Sequence, residues 1–199
     1  MRGKSKLIYS QIIFLGILFL TIVFRLLELS YSKKNHSKRL EKKDTVYKSE
    51  SYFFLFVLLH TSFLISVPLE IFLLNREFYP YLGIISLVVY IVCISMRVSI
   101  LYVLKENWNV KVIYHKTDKS SIITTGLYAY IRHPNYLVVI LEILCISLFH
   151  SAFYSCIVFT LLNMIILSVR IPFEEKHLFE NPHYKSHFKD KYRFIPFIF

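Results

Sequence analysis

The most restrictive feature of the 199-residue sequence is an almost unbroken apolar run from Leu137 to Val169. As one helix at 1.5 Å per residue it would be roughly 50 Å long, against a hydrocarbon thickness of ~30 Å, so the chain must fold back within it. The fold-back is placed at His150 and Ser151, giving two spans, 135–149 and 151–173, with almost no connection between them. Three further apolar blocks, 7–29, 51–74 and 80–104, are each long enough for a tilted crossing. The expected fold class is therefore all-α: an integral membrane protein of about five transmembrane helices, the fourth short, the last two a tight hairpin.

The mean hydropathy of +0.50 agrees with this class, and the formal charge of +11 has to be read through it. The basic residues fall between the apolar blocks, where they set topology and meet anionic headgroups, rather than forming a nucleic-acid surface. Placing 30–50, 105–134 and 174–199 on one face leaves only Arg2, Lys4, Lys6 and Arg76 on the other. The positive-inside rule then puts the polar loops and the C-terminus in the cytoplasm and the N-terminus outside, although the basic start MRGKSK argues the other way. That start resembles a signal peptide, but the apolar stretch after it is long and shows no small-residue cleavage site, so a retained first span is expected. The C-terminal tail, rich in Lys, His, Tyr and Phe, suits the headgroup level.

Several chemistries are excluded early. Cys93, Cys145 and Cys156 lie in apolar stretches without metal-ligand spacing, so they read as small buried hydrophobes and no metal is expected. Neither GxGxxG nor a Walker sequence occurs, so a nucleotide-like cofactor has to be held without a glycine-rich loop. Ionisable groups within spans are costly, and each is a functional candidate or one half of an interhelical pair. Arg25 and Glu28, spaced i, i+3, read as a local pair. Glu70, Arg97 and Glu142 stay open between structural and functional roles, Arg97 being able to meet either carboxylate. His60 and His150 read as satisfied core histidines.

Two polar clusters bracket the apolar hairpin: RHPNY at 132–136 and RIPFEE at 170–175. Proline at 134 fits the first turn of a helix, which sets Arg132 and His133 at its N-terminus. Antiparallel neighbours bring the start of one helix and the end of the next to the same membrane face, so the clusters should meet. Arg170 and Glu174, spaced i, i+4, can line a shared pocket. The same geometry also fits an interfacial salt-bridge network that only staples the hairpin.

These segments, TTGLYAYIRHPNY at 124–136, RIPFEE at 170–175 and the closing YRFIP at 192–196, resemble the isoprenylcysteine carboxyl methyltransferase family. Upstream, FRLLELSYSKKN at 24–35 and HTSFLISVPLE at 60–70 are similar to a bacterial branch associated with type III polyketide synthases, whose members resemble enzymes that O-methylate alkylpyrones. The resemblance implies a five-helix membrane fold and S-adenosylmethionine as cofactor. The chain is expected to form one integrated membrane domain, with an N-terminal three-helix region, 1–104, and a part holding the cofactor-binding loop, hairpin and tail, 105–199. Carried over to this chain, it implies cofactor contacts at Ser120, Ser121, Ile122, Ile123, Tyr128, His133, Pro134, Asn135, Tyr136 and Glu174. Arg170 would face the methyl acceptor and orient it as an anion, with Arg132, while Glu175 would support the site or pair with a loop lysine. Some family members carry glutamine on the cofactor where this chain has Ile113.

The implied acceptor is a carboxylate or acidic hydroxyl of a lipophilic molecule, prenylcysteine-like or alkylpyrone-like, taken from the membrane at the cytoplasmic face of a bacterial plasma membrane. Phospholipid N-methylation would demand a base for an ammonium, for which only Glu175 or His133 stands ready. A sterol-type reductase needs a larger bundle. A non-catalytic membrane scaffold is the reading from another class.

Overall fold

The computed structural model describes residues 2–41, 45–47 and 53–194, with side chains from residue 8 onward. Five long helices follow one another: α1 (Arg2–Leu40), α2 (Phe53–Leu73), α3 (Pro80–Leu104), α4 (Pro134–Phe149) and α5 (Phe153–Leu178), with a short α6 (Pro182–Phe188) behind them. Helices α1, α2, α3 and α5 are long and apolar enough to cross a membrane, while α4 is a shorter apolar helix. The protein is a multi-pass integral membrane protein, as the hydropathy pattern predicts.

The hairpin forms where the length argument puts it. His150 caps α4, and Ser151 takes a left-handed φ of 59°. The Ala152 amide then reaches the Ser147 carbonyl at 2.9 Å and the Ser151 amide that of Leu148 at 3.3 Å, closing the helix end as a Schellman turn with serine in the position glycine usually takes. Helix α4 is central, packing on α1, α2, α3 and α5. Near the hairpin turn the interior is filled by Phe14, Phe63, Val67, Ile71, Phe149 and Phe159.

The first helix departs from the expected span of 7–29, running on to Leu40 through residues assigned to a loop. Its polar extension has partners: Asn35 Nδ2 donates to the carbonyls of Lys105 and Trp108, both at 3.0 Å. Arg39 donates to those of Asn107 at 2.9 Å and Ile113 at 3.0 Å. Beyond it, β1 (Thr45–Tyr47) pairs antiparallel with β2 (Ile113–His115), a small sheet in an otherwise helical chain. These contacts, with Tyr114 Oη donating to Glu180 at 2.6 Å and Asn181 Nδ2 donating to the His115 carbonyl at 2.7 Å, gather the three polar segments on one face. The start of α1 lies at the other face, where Ser10 Oγ meets His150 Nε2 at 3.2 Å.

Membrane-depth charges resolve into pairs. Glu70 accepts from the amides of Tyr154 at 3.1 Å and Ser155 at 2.6 Å, capping the start of α5, and is held by Arg76 at 2.7 Å. Arg97 meets Glu142 and Glu28, not Glu70.

Candidate functional site

The start of α4 and the end of α5 meet, as the antiparallel hairpin requires. Arg170 Nε donates to Tyr136 Oη at 2.8 Å, and Tyr136 Oη donates in turn to Glu174 Oε2 in a short hydrogen bond. Arg170 also donates from Nη2 to the Val110 carbonyl, and its guanidinium lies 4.7 Å from the Phe56 ring centroid. The cation is 3% exposed, oriented by bonds along one edge and by aromatic faces around it.

The other half of the bracket turns elsewhere. Glu175, one residue on and so about 100° around the helix, accepts from Arg132 Nη1 at 3.0 Å and Arg193 Nη2 at 2.7 Å, and meets His133 Nε2 at 3.1 Å. Arg132 further donates from Nε to the Lys191 carbonyl at 2.7 Å. The amides of Arg132 and His133 are taken by the carbonyls of Tyr192 and Arg193, at 2.9 and 3.0 Å. The tail is thus sewn onto the start of α4. Those two amides are consumed by it.

A cavity of about 380 Å³ runs beside this hairpin. Its polar half is walled by Arg170, Glu174, Tyr136, Asn135, His133 and Arg132 with the loop residues Ser121, Ile122, Ile123 and Tyr128. Ser120, Pro134 and Glu175 are outside its lining; Ser120 instead caps a turn, donating from amide and hydroxyl to Asp118 Oδ1 at 2.8 and 2.7 Å. The segment 110–115, including Ile113, does line it. The apolar half extends between α1 and α2 past Leu26, Leu29, Phe56 and Val57. Leu26, Leu29 and Val57 are 60%, 49% and 45% exposed, so the cavity opens sideways onto the lipid-facing surface there.

Sequence reasoning missed several wall residues: Trp108, Tyr114, His115, Asn181, Tyr184 and Phe188. Only Asn181 had a local signal, as Asn-Pro is a helix-start pair, and its Oδ1 does accept from the amides of His183 and Tyr184. Burial, and then the hydrogen bond to Glu180, push the Tyr114 phenol up to about 12. Burial, with the Glu174 carboxylate nearby, raises Tyr128 too, so both walls are neutral. Among the described residues no group of His, Cys, Asp or Glu is arranged to hold a metal ion.

This geometry coincides with what the chain is similar to. The family model for the isoprenylcysteine carboxyl methyltransferase family matches residues 84–180, from within α3 through the hairpin to just beyond the end of α5. An uncharacterized protein of Bacillus subtilis, YpbQ, is 31% identical over 150 residues, covering 74% of this chain and 86% of the relative. The chain belongs to the isoprenylcysteine carboxyl methyltransferase family. An uncharacterized protein of Haemophilus influenzae is 38% identical over 99 residues, which is 48% of this chain and 56% of that one. Among solved structures, the eukaryotic intramembrane Ras methyltransferase ICMT superposes with a TM-score of 0.56 at 21% identity, a likeness of fold. It covers 76% of this chain and 55% of that one, so this family member spans about half the length of that structure.

Proposed function

We propose that the protein is an S-adenosylmethionine-dependent O-methyltransferase of a bacterial plasma membrane, acting on a carboxylate or acidic hydroxyl of a lipophilic acceptor at the cytoplasmic face. The observation that carries this reading is a cavity with two unlike halves, one polar and walled by Glu174, Tyr136 and Arg170, the other apolar and open to lipid. Its volume lies in the ~300–1,000 Å³ range of small-molecule sites.

The residues of the polar half suit the cofactor. The Glu174 carboxylate faces the cavity and can accept from an ammonium; Trp108, Tyr128 and Tyr184 offer flat walls for an adenine; Asn135 and Ser121 add hydrogen bonds to a ribose or carboxylate. Bound there, S-adenosylmethionine supplies a methyl group made electrophilic by its sulfonium sulfur. An acceptor oxygen that is already anionic near neutral pH needs no strong base, so the chain's task is orientation. Arg170, at the junction of the halves and locked by Tyr136 and the Val110 carbonyl, holds that anion in line. Methyl transfer from the sulfonium sulfur to the acceptor oxygen would cancel the opposite charges. A site shielded from bulk water favours that neutralisation. Arg132 and Glu175 belong in this reading to the scaffold that fixes His133 and the tail.

The test is cofactor binding to detergent-purified, lipid-supplemented protein, comparing wild type, Glu174→Ala and the loop control Lys119→Ala. Saturable binding lost only in Glu174→Ala is expected. Transfer of labelled methyl to lipophilic carboxylic acids and acidic enols then separates acceptors, since an ester releases its methyl group in base and an enol ether does not. Folded wild type that binds no S-adenosylmethionine overturns the assignment.

A further inference from the structure

Arg97 is buried to 2% exposure in the middle of α3 and does not itself line the cavity. Its donors are fully directed. Nε and Nη2 grip Glu142 at 2.9 and 2.7 Å, and Nη1 reaches Glu28 Oε1 at 2.9 Å and Asn135 Oδ1 at 3.3 Å. Arg25 closes the other side, at 3.2 Å from Glu28 and 2.5 Å from Glu142. Two arginines and two glutamates balance in charge, so the cluster is a neutral frame joining α1, α3 and α4. Pinning three helices would not require the fifth member. Arg25, Glu28 and Glu142 line the cavity as well, and Asn135 lines it at the start of α4, beside His133 and Tyr136.

A guanidinium has donors and no acceptor, so it can face only the oxygen of an amide. Arg97 therefore decides which way the Asn135 amide points: Oδ1 inward to the frame, Nδ2 with its two donors left for the cavity side. We propose that Arg97 is a positioning residue of the cofactor chamber, acting through Asn135 to present a fixed pair of N–H donors to an acceptor oxygen of the bound cofactor. The inference rests on the S-adenosylmethionine reading above and adds to it a residue from outside the hairpin.

The experiment uses the full-length protein in lipid-supplemented detergent. S-adenosylmethionine affinity is measured by calorimetry, with thermal unfolding in parallel, for wild type, Asn135→Asp, Asn135→Ala, Arg97→Lys and the Arg97→Lys/Asn135→Ala double variant. Asn135→Asp is the decisive change, because aspartate has the same size and accepts from Arg97 at least as well but has no donor for the cavity. It should stay folded, with a Tm lowered by a third carboxylate beside an already neutral frame, and bind about tenfold more weakly. Arg97→Lys should weaken binding by several-fold in the Asn135 background and by less than about twofold beside Asn135→Ala. Wild-type affinity in Asn135→Asp, or an equal effect of Arg97→Lys in both backgrounds, overturns the inference and leaves the frame as bundle packing. Should Arg97→Lys fail to fold, Arg97→Gln, alone and beside Asn135→Ala, takes its place in the same comparison. Absence of binding by wild type overturns the cofactor reading, and this inference with it.

Discussion

Glu175 and Glu174 are neighbours with opposite surroundings, and replacing Glu175 with glutamine separates scaffold from site. The carboxylate is 5% exposed and serves three groups: Arg132 at 3.0 Å, His133 at 3.1 Å and Arg193 at 2.7 and 3.2 Å. A charge-assisted hydrogen bond contributes ~1.5–3 kcal/mol. Glutamine keeps one acceptor oxygen, and the Arg193 side chain, 33% exposed, recovers much of its loss in water. The net loss is therefore about 2–3 kcal/mol, roughly one full charged contact. For a chain of this size that is a fall in Tm of ~4–12 °C. The damage should be local: the tail from Lys189 to Arg193, docked through Arg132 and the Ile131–Tyr192 bridge, should become a substrate for trypsin at low enzyme ratios. S-adenosylmethionine affinity, measured on the fraction with an intact tail, should stay within about threefold of wild type. Unchanged Tm and an intact tail together with abolished turnover would refute this reasoning and make Glu175 a group that touches the reacting atoms.

Three further changes probe other links. Arg170→Lys keeps the charge but loses the planar fork that bonds Tyr136 and the Val110 carbonyl along one edge, so the acceptor KM should rise by about tenfold or more while cofactor affinity holds, as steady-state kinetics against both substrates would show. Glu70→Gln weakens the cap on α5 and its pairing with Arg76, and should lower stability by ~1–2 kcal/mol in thermal unfolding without changing ligand affinity. Ser151→Gly relieves the left-handed backbone at the hairpin turn and should raise stability by about 1 kcal/mol, whereas Ser151→Val should lower it.

The hairpin, the meeting of RHPNY with RIPFEE and the grouping of the polar loops were legible because each follows from a length or a spacing. An apolar run too long for the bilayer must turn, and i, i+4 residues must share a face. The Arg25–Glu28 pair was legible for the same reason. What the sequence did not disclose depends on contacts across the chain. The extension of α1 to Leu40 is fixed by Asn35 and Arg39 reaching carbonyls about seventy residues away, and local charge alone reads there as a loop. Arg97 was seen as needing a carboxylate, but Glu28 was already assigned to Arg25, and a guanidinium can share it. The aromatic walls at Trp108, Tyr114 and Tyr184 come from the loop after α3, from β2 and from α6, so no single stretch carries their signal.

The brevity of α4 has a consequence of its own. Its 16 residues span about 24 Å, some 6 Å less than the hydrocarbon layer. Lipids do not meet that shortfall directly, because α1, α2, α3 and α5 surround the helix. The bilayer need not thin around it. On the loop-bearing face the cavity begins at the start of α4, where His133, Asn135 and Tyr136 line it. A water-soluble molecule can then descend below the headgroup plane, and a membrane-dissolved one need not climb out to meet it. Hydrophobic mismatch, commonly a burden on the surrounding bilayer, is here turned inward and sets the depth at which the two phases share a boundary.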